Sequence, residues 1–420
     1  MINRHIVIKD VKKILLKTLI KMKVYMKRST KEKATENKRD YKRKLLQHRR
    51  AAFLRFMFVF AVLGVLAVVV YMQYKSHIYS DYEYISVKTV NRVVNSKSVQ
   101  LGEYILTYSN DGAHCTDTNG VELWNQTYQM QNPIVKISGD VVAIADYNGR
   151  EVYIYNTREK ICQLNMTMAI KNIAVASNGR TAVEVINGRE TWIYVYDPDG
   201  KAYFEKRTTM GQSGYPAAFS FSPNGELLAM SCIFVDAGTV KSQIAFYNMG
   251  PVGENKANSE VNAYTYQDVI IPYIEFMNNG MAVAVGDDRM LFYEGDQIPT
   301  FSTMHMFDDE VQSVYQKDDH LGVLFRSDVL EMRNKMVVYD ASSKKVGTYY
   351  FNTAFHDIVF TSSYFVAYGD SECTIITYDD VEKFEGRFDR TVDLMLPVGK
   401  GYGYKFVLVS GNTFNVIQMQ

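Results

Sequence analysis

The chain has 420 residues, among them 31 tyrosines, 22 phenylalanines and only 8 prolines, a composition that favours strands and excludes a disordered chain. Its formal net charge is +1, yet residues 1–50 carry 18 basic and 4 acidic side chains, whereas residues 56–420 carry 28 basic and 42 acidic ones. This contrast of +14 against −14 excludes one uniformly charged surface and indicates two compartments or two partners.

Residues 1–52 are predicted to form a basic cytoplasmic arm. Within this arm, apolar residues recur at steps of three and four between lysines, which predicts one apolar stripe on a helix: Ile8, Val11, Leu15, Leu19, Met22 and Met26. Such a helix either lies on the anionic inner leaflet or docks to a partner, and the alternative is that translation starts at Met22 or Met26. The charged residues 28–50 are predicted to be a solvated tether. Because the retention of positive charge in the cytoplasm explains these residues, no nucleic acid is expected as a partner.

A membrane-spanning helix is predicted over residues 53–74. The nineteen residues 56–74, FMFVFAVLGVLAVVVYMQY, contain no charged side chain, and a helix of that length spans roughly 28 Å, close to the hydrocarbon thickness of a bilayer. A buried core helix rarely runs this far without a polar face. A cleaved signal peptide needs a small-x-small site, whereas this run ends in bulky residues. We therefore expect one uncleaved anchor.

The charges on either side of the span predict its orientation. The basic segment YKRKLLQHRR and Arg55 precede the span, whereas a single lysine, Lys75, follows it before Asp81. Since lysine and arginine are retained in the cytoplasm, we expect a single-pass protein with its N-terminus inside the cell and its C-terminal part outside. Residues 75–83 are predicted to be a short linker, and residues 84–420 an extracytoplasmic domain.

The outer part of the chain repeats one unit, which consists of an apolar strand, a turn rich in Asn, Asp and Gly, and a second strand that closes with an aromatic residue. The closing positions are spaced by 41, 51, 46, 46 and 39 residues and are occupied by Tyr155, Tyr196, Tyr247, Tyr293, Tyr339 and Tyr378. Cys115 stands 40 residues before the first of them, and Ile417 stands 39 residues after the last. Eight units therefore fill residues 85–420, at about 42 residues each.

A period near 40–45 residues with four short strands in each unit predicts an all-β fold, a β-propeller. A lone four-stranded sheet cannot bury both of its faces, but radial stacking of such sheets around an axis covers them. We predict eight blades, with seven as the alternative. Because the last unit has room for only three strands, YEYISVKTV (residues 82–90) is predicted to pair with the C-terminal strands and close the ring.

Two local patterns resemble known propeller repeats. FSFSPNGELLA, residues 219–229, resembles the start of a WD40-type blade. DTNGVELW, residues 117–124, resembles the quinoprotein-type repeat, in which an Asp, a Gly and a terminal Trp hold one blade against the next; DPDGKAYF repeats this turn with Phe204 at the tryptophan position. As a whole, the basic arm, the anchor and the tyrosine-rich propeller resemble a bacterial family of single-pass, membrane-anchored propellers of unknown function. The resemblance to the repeats covers residues 85–420 at the level of the blade pattern.

The tryptophans argue against a quinone-dependent propeller. Such a protein would repeat the docking tryptophan in most blades, but this sequence contains only Trp124 and Trp192. Trp192 lies inside a predicted strand, TWIYVYD, and is expected in the core. Trp124 is therefore predicted to be a structural wedge between two blades, and no cofactor is expected.

The sequence contains no motif that predicts a catalytic or metal-binding residue. The seven histidines form no HExxH motif. GQSGYP, from Gly211, lacks the GxSxG elbow, and GKGYGYK, residues 399–405, is not followed by a helix that would hold a phosphate. The acidic clusters at 287–288, 308–310 and 318–319 lack the spacing of a calcium loop and are expected to be solvated turns.

The four cysteines are far apart in the sequence and form no CxxC pair: Cys115, Cys162, Cys232 and Cys373. Their spacing excludes a zinc ribbon, and their number excludes a dense disulfide scaffold. We expect buried, small apolar residues, with a single disulfide bridge as the alternative.

Propellers present loops on a rigid ring, and binding residues gather on such loops. The hypothesis from the sequence is therefore a non-enzymatic, membrane-tethered scaffold that binds protein or cell-envelope polymer at its rim or channel mouth. One alternative is an envelope hydrolase or lyase, which needs two carboxylates, or a histidine and a carboxylate, at the channel mouth. The other alternative is a transmembrane sensor.

Overall fold

The computed structural model describes residues 17–21, 38–90, 92–93, 95–211, 213–317, 319–398 and 404–420. The chain divides into two compact units, Met1–His77 and Ile78–Gln420. The residues 1–16, 22–37, 399–403 and the single positions 91, 94, 212 and 318 lie outside the described part. The sequence predictions for Ile8, Val11, Leu15, Met22 and Met26, and most of GKGYGYK, fall on these residues.

The first unit contains one long helix, α1 (Lys38–Lys75). Its stretch His48–Gln73 is long and apolar enough to cross a membrane, and its apolar side chains are exposed. The predicted span at 53–74 lies almost wholly within this stretch. The predicted tether, residues 28–50, is helical from Lys38 onward, so α1 continues from the basic residues into the apolar ones without a break. Residues 17–21 are also helical.

The second unit is a ring of eight four-stranded antiparallel sheets. Blade one consists of β2 (Lys97–Leu101), β3 (Tyr104–Tyr108), β4 (Gly112–Thr116) and β5 (Glu122–Thr127). Blade two consists of β6 (Pro133–Ser138), β7 (Val141–Asp146), β8 (Glu151–Asn156) and β9 (Lys160–Asn165). Blade three consists of β10 (Ala169–Val175), β11 (Thr181–Asn187), β12 (Glu190–Tyr196) and β13 (Ala202–Thr209). Blade four consists of β14 (Tyr215–Phe221), β15 (Leu227–Asp236), β16 (Thr239–Asn248) and β17 (Glu260–Gln267).

The remaining blades follow the same order of strands. Blade five consists of β18 (Tyr273–Asn278), β19 (Met281–Val285), β20 (Arg289–Glu294) and β21 (Thr300–Met306). Blade six consists of β22 (Val311–Lys317), β23 (His320–Arg326), β24 (Asn334–Asp340) and β25 (Lys345–Phe351). Blade seven consists of β26 (Asp357–Phe360), β27 (Tyr364–Tyr368), β28 (Glu372–Thr377) and β29 (Glu382–Arg387). A short helix, α2 (Pro251–Glu254), and a 3₁₀ turn, Ala257–Ser259, connect β16 to β17.

Blade eight joins the two ends of the ring. Its strands are β30 (Leu394–Pro397), β31 (Lys405–Ser410), β32 (Thr413–Met419) and, as the outer strand, β1 (Tyr82–Thr89). β1 runs antiparallel to β32, with Tyr82 opposite Met419 and Thr89 opposite Thr413. The prediction that this strand closes the ring is confirmed, and the blade count is eight rather than seven.

The second strand of each blade carries the core. β7, VVAIAD, is buried at Val141–Ala145 on both of its faces, and β19, MAVAV, is buried throughout. Residues on either face of such a strand pack against neighbouring blades, which explains why these strands are apolar almost without alternation. Radial stacking thus removes from water the apolar surface that a single sheet would leave exposed.

We call one face of the ring the upper face. It carries the turns between the second and third strands of each blade and the connections between blades. Backbone hydrogen bonds tie these segments together: Asn148 N donates to Ile170 O at 2.8 Å, and Asp287 N donates to Ile270 O at 3.1 Å. These hydrogen bonds between neighbouring blades fix the positions of the loops on the upper face.

The lower face carries the turns between first and second strands and between third and fourth strands. Ser177 N in blade three donates to Pro223 O in blade four at 2.9 Å, which links two neighbouring turns of this face. The chain joins the ring here, because Ser80 N donates to Gln420 O at 3.0 Å, at the lower end of β32.

Candidate functional site

Five of the repeat tyrosines share one structural position. Each lies in the third strand of its blade, immediately after the register between the third and fourth strands shifts by one residue: Tyr155, Tyr196, Tyr247, Tyr293 and Tyr339. Tyr378 differs, because β28 ends at Thr377 and the shift falls before Ile376. The Tyr378 hydroxyl donates a hydrogen bond to Thr361 O, in the same blade, at 2.8 Å. A β-bulge, which bends the strand locally, thus sets the tyrosine position.

The side chain of Trp124 lies between blade one and blade two. Its ring stacks on Tyr155 with centroids 4.3 Å apart, and its indole N–H donates to Asn156 O at 2.9 Å. His305 in blade five makes a similar contact from two residues further along the fourth strand, with its ring centroid 4.9 Å from that of Tyr339 in blade six. A ring in the fourth strand thus contacts the tyrosine of the next blade. The position of His305 in a fourth strand is the one sequence feature from which this contact with the next blade could have been predicted.

Of two other aromatic residues of the repeat, Phe204 resembles Trp124 in its surroundings and Trp192 does not. Phe204 in blade three contacts Tyr247 in blade four, with ring centroids 5.6 Å apart, so it occupies the same kind of position as Trp124. Trp192 is half-buried rather than part of the core, since β12 turns it toward Tyr194, on which it stacks at 5.9 Å. Its indole N–H donates to Glu190 Oε2 at 3.3 Å.

The described residues contain no group of three or more His, Cys, Asp or Glu side chains arranged to hold a metal ion. Within the acidic clusters, Asp288 pairs with Arg289 at 2.6 Å and Asp309 pairs with Lys335 at 2.8 Å. All four cysteines are free thiols, and three of them are buried. Burial raises the pKa of Cys115 to about 12, which keeps that thiol protonated and unreactive.

Side chains of the first strands meet near the ring axis. Burial raises the pKa of Glu275 in β18, and this effect is opposed by Lys136 in β6 and by a hydrogen bond from Tyr273. Lys317 in β22 donates a hydrogen bond to Gln100 in β2. These contacts join blades that are not neighbours in the ring. The charge of Lys136 thus partly compensates the buried carboxyl of Glu275.

The upper face carries one long loop on blade six. Seven residues, 327–333, separate β23 from β24, whereas no more than four separate the second and third strands of any other blade. Leu330 in this loop is 90% exposed, and Val329 and Met332 are also exposed. The loop is nevertheless ordered by its own hydrogen bonds, because Val329 N donates to Ser327 Oγ at 3.1 Å and Met332 N donates to Val329 O at 3.2 Å.

The blade-six loop, residues 327–333, is fixed to its surroundings by a lysine. Lys335 Nζ lies 2.8 Å from Asp309 Oδ2 and 3.6 Å from Asp328 Oδ2, so it connects the loop to the segment between blades five and six. Asp308, Glu310 and Glu331 add further negative charge nearby in the chain. Arg333 and Lys335 offset part of this charge, and the net charge around the exposed leucine remains negative.

Other apolar side chains are exposed on the same face. Val235, 65% exposed, lies near the tip of the β15–β16 hairpin, whose two strands of ten residues are the longest of the described ring. Met210 and Ile270 are exposed in the connections on either side of blade four. These positions were not distinguishable in the sequence, since exposure depends on which turns the neighbouring blades leave uncovered.

A buried acid lies beneath this face between blades three and four. Glu184 in β11 is 3% exposed, and within the described residues its Oε1 atom has no hydrogen-bond partner. Burial raises its pKa to about 7, and the charge of Lys171 opposes that rise. Lys171 Nζ donates to Asn148 Oδ1 at 2.5 Å and lies 4.6 Å from the ring centroid of Tyr147. Glu184 therefore exchanges a proton near neutral pH.

Comparison with solved structures finds propellers of low sequence identity. BamB from Moraxella catarrhalis has 10% identity and a TM-score of 0.48, and the match covers 81% of this chain and 100% of that one. Hsv2p from Kluyveromyces lactis has 10% identity and a TM-score of 0.44, with 74% and 98% covered. The Pan2 WD40 domain from Neurospora crassa has 8% identity and a TM-score of 0.42, with 82% and 97% covered.

No curated protein matches the chain. At the level of families, residues 74–419 match DUF5711, described as a family of unknown function. This stretch covers the whole described ring and most of the chain, and the chain therefore belongs to the DUF5711 family.

Proposed function

We propose that this protein is a non-enzymatic, membrane-tethered scaffold that binds a partner protein through the upper face of its ring. The observation that carries this proposal is the blade-six loop, which holds Leu330 90% exposed on an ordered backbone. An exposed leucine is unremarkable alone, but this one lies on the longest turn of its kind, with Val329 and Met332 beside it.

The order of the loop favours binding. Glu331 has a φ of 82°, an uncommon conformation for a residue with a side chain, and the surrounding hydrogen bonds hold it there. The exposed apolar side chains are therefore already positioned before a partner binds, so binding loses little conformational entropy of the loop. Full burial of a leucine side chain contributes about 1.5–3 kcal/mol, which corresponds to roughly 10- to 100-fold in affinity.

The charge of the ring specifies the chemistry of the partner. Residues 56–420 carry 28 basic and 42 acidic side chains, and the blade-six loop itself contains Asp328 and Glu331 against one cation, Arg333. A basic partner surface with an apolar groove complements this arrangement, and charge complementarity of this kind accelerates association. The binding should weaken as salt rises, since exposed charges are screened over about 10 Å at 0.1 M salt.

The proposal includes a membrane tether and a position of the ring outside the cell. α1 supplies the membrane span, and the many basic residues before it favour a cytoplasmic N-terminus with the ring outside the cell. Ser80, near the start of the second unit, lies at the lower face, whereas the blade-six loop lies on the upper face. Attachment and partner binding thus use different faces.

Photo-crosslinking of the full chain in its own membrane tests the proposal. A photoreactive residue at Met332 should capture a protein with a basic surface, whereas the same residue at the exposed Val121 of the lower face should not. The capture should be lost with Leu330→Asp and reduced by Asp328→Lys or by high salt. Equal capture at both positions, capture that Leu330→Asp leaves unchanged, or no capture at Met332 would refute the proposal.

A further inference from the structure

The outer strand of blade five, β21, differs from the outer strands of the other blades in charge and exposure. Its sequence, TFSTMHM, contains no Asp, Glu, Lys or Arg, whereas each of the other seven outer strands contains at least one. Five of its seven residues are exposed and none is buried. Charged side chains on a sheet edge discourage pairing with further strands, so β21 lacks a protection that the other outer strands have.

Three exposed apolar side chains of β21 lie on one face of the sheet. Phe301, Met304 and Met306 are 43%, 45% and 55% exposed. Their partners in β20 are alternate residues of that strand, and alternate residues of a strand share a face. The register shift at Ser302 brings Phe301 onto the face of the two methionines. An open edge thus coincides with an exposed apolar stripe.

The backbone of β21 can accept another strand. β21 pairs with β20 on one side, and no further strand of the described ring pairs with it on the other. Phe301 N donates to Tyr264 Oη at 3.0 Å, which leaves the edge open from Ser302 to Met306. Main-chain groups on such an edge bind an added strand whatever its side chains are. The side chains therefore decide which strand is accepted.

The charge of the ring favours a second copy of the same chain at this edge. Residues 56–420 carry 28 basic and 42 acidic side chains, a net charge of −14, so two rings repel each other over most of their surfaces. An uncharged edge is the place where two like-charged rings meet with the least repulsion. Two identical antiparallel strands are also self-complementary, since every contact occurs twice.

We propose that two copies of this chain pair through β21, with the two strands antiparallel. In a pair centred on Thr303, Ser302 of one copy lies opposite Met304 of the second copy. The two blades then form one sheet of eight strands, four from each copy. This surface is distinct from the blade-six loop, and it takes from the proposed function only the membrane tether.

A shared membrane strengthens this contact. A single pair of seven-residue strands is smaller than the roughly 1,200–2,000 Å² of stable interfaces, so freely diffusing copies would associate weakly. Tethering confines the copies to one plane and raises their effective concentration. The pair should therefore form in the membrane more readily than in dilute solution.

The twist of the blade makes the pair compatible with two tethers in one membrane. The first strand of a blade lines the channel and runs along it. Successive strands rotate by roughly 20–25°, so β21 is turned by roughly 60–75° from β18. The two-fold axis of the pair is perpendicular to the sheet at β21 and hence lies close to the ring axis. Both rings then point their lower faces in the same direction.

Crosslinking of the full chain in its own membrane tests the proposal. Ser302→Cys should give a dimer with a short bis-maleimide, and the mass of the adduct identifies both partners. Ala202→Cys, exposed on the charged outer strand of blade three, is the matched control and should stay at the wild-type background. That background should be low, because the native thiols are buried or half-buried.

Charges placed on β21 should control the yield of the dimer. Met304→Lys, added to Ser302→Cys, should lower the yield at least about tenfold, because like charges then face each other across the pair. Coexpression with differently tagged copies that carry Met304→Glu and Ser302→Cys should restore it, because opposite charges then meet. Val87→Lys, at a similarly exposed apolar position on the outer strand of blade eight, should leave the yield unchanged.

Met304 and Val87 are both exposed, so these variants are expected to fold, and their unfolding midpoints verify this. The proposal is overturned if Ser302→Cys crosslinks no more than Ala202→Cys or yields an adduct with a different protein. It is also overturned if Met304→Lys acts no more strongly than Val87→Lys, or if the oppositely charged copies fail to crosslink together. None of these results bears on partner capture at Met332, which tests the blade-six loop separately.

Discussion

The indole ring of Trp124 in blade one stacks on the phenol ring of Tyr155 in blade two, with centroids 4.3 Å apart. The indole N–H also donates to Asn156 O at 2.9 Å, so ring stacking and one hydrogen bond connect the two sheets. The motif DTNGVELW therefore ends on an interblade contact. Its first residue, Asp117, shapes the turn by accepting hydrogen bonds from Asn119 N and Val121 N, each at 2.8 Å.

Trp124→Ala should destabilise the ring by roughly 3–5 kcal/mol, because it removes a large buried ring and leaves a cavity between two blades. Trp124→Phe keeps an aromatic ring but loses the hydrogen bond and should cost about 1–3 kcal/mol. The free energy of unfolding in urea measures both. Trp192→Phe is the control, since Trp192 is half-buried and bonds only weakly to Glu190 at 3.3 Å; an equal effect at the two positions would contradict a wedge role for Trp124.

The closing strand should depend on Asp389. Its carboxylate accepts hydrogen bonds from Tyr82, at 3.0 Å, and from Tyr84, both of which lie in β1. The carboxylate is partly exposed, so Asp389→Ala should cost only about 1–2 kcal/mol, below the usual range for two bonds to a charged group. Asp308→Ala, at an exposed position in another loop, should cost less than about 0.5 kcal/mol.

The same contact has a defined pH dependence. The hydrogen bond from Tyr84 is the largest cause that lowers the pKa of Asp389. Its stabilisation should be fully present above the unfolded pKa of about 3.9 and should be lost as the pH falls through the lower folded pKa. Tyr84→Phe should reduce this loss, and if it leaves the acid unfolding curve of wild type unchanged, the contact does not stabilise the closure.

Membrane topology can be checked with an introduced cysteine. The native thiols are buried or half-buried, and burial raises their pKa values, so they should react slowly. Val121→Cys, at a position 62% exposed, should react with a membrane-impermeant maleimide in intact cells. Arg50→Cys should react with the same maleimide only after the membrane is permeabilised. The reverse pattern would place the ring in the cytoplasm and refute the proposed location.

Sequence patterns of different kinds differ in how far they predict this structure. The period of the repeat and the three-strand final unit predicted eight blades and their closure, because both follow from counting along the chain. Tyr378 shows that residue spacing alone does not fix a structural position. Its spacing fits the tyrosine repeat, but the β-bulge in blade seven falls at Ile376. The exposure of Leu330 was not predictable, since it depends on the lengths of neighbouring turns in three dimensions.

Glu184 should make the stability of the ring depend on pH near neutrality. Its pKa rises from 4.5 to about 7 on folding, chiefly because burial disfavours the charged carboxylate. Between these values the folded state binds the proton more tightly than the unfolded state, so stability should fall as the pH rises and then level off above about 7. The shift corresponds to roughly 3 kcal/mol at most.

Glu184→Gln should remove this dependence and stabilise the ring at pH 8, because the amide keeps the shape of the protonated acid without the charge. Lys171 is the cation that opposes the shift, and Tyr215 and Cys232 are the other titratable groups that sense Glu184. Glu205→Gln, at an exposed position in β13, is the control and should behave like wild type. Urea unfolding at pH 5, 6, 7 and 8 provides the comparison. A wild-type stability that stays constant from pH 5 to 8, or a Glu184→Gln variant that follows the wild-type slope, would show that the buried carboxyl is not the group that titrates.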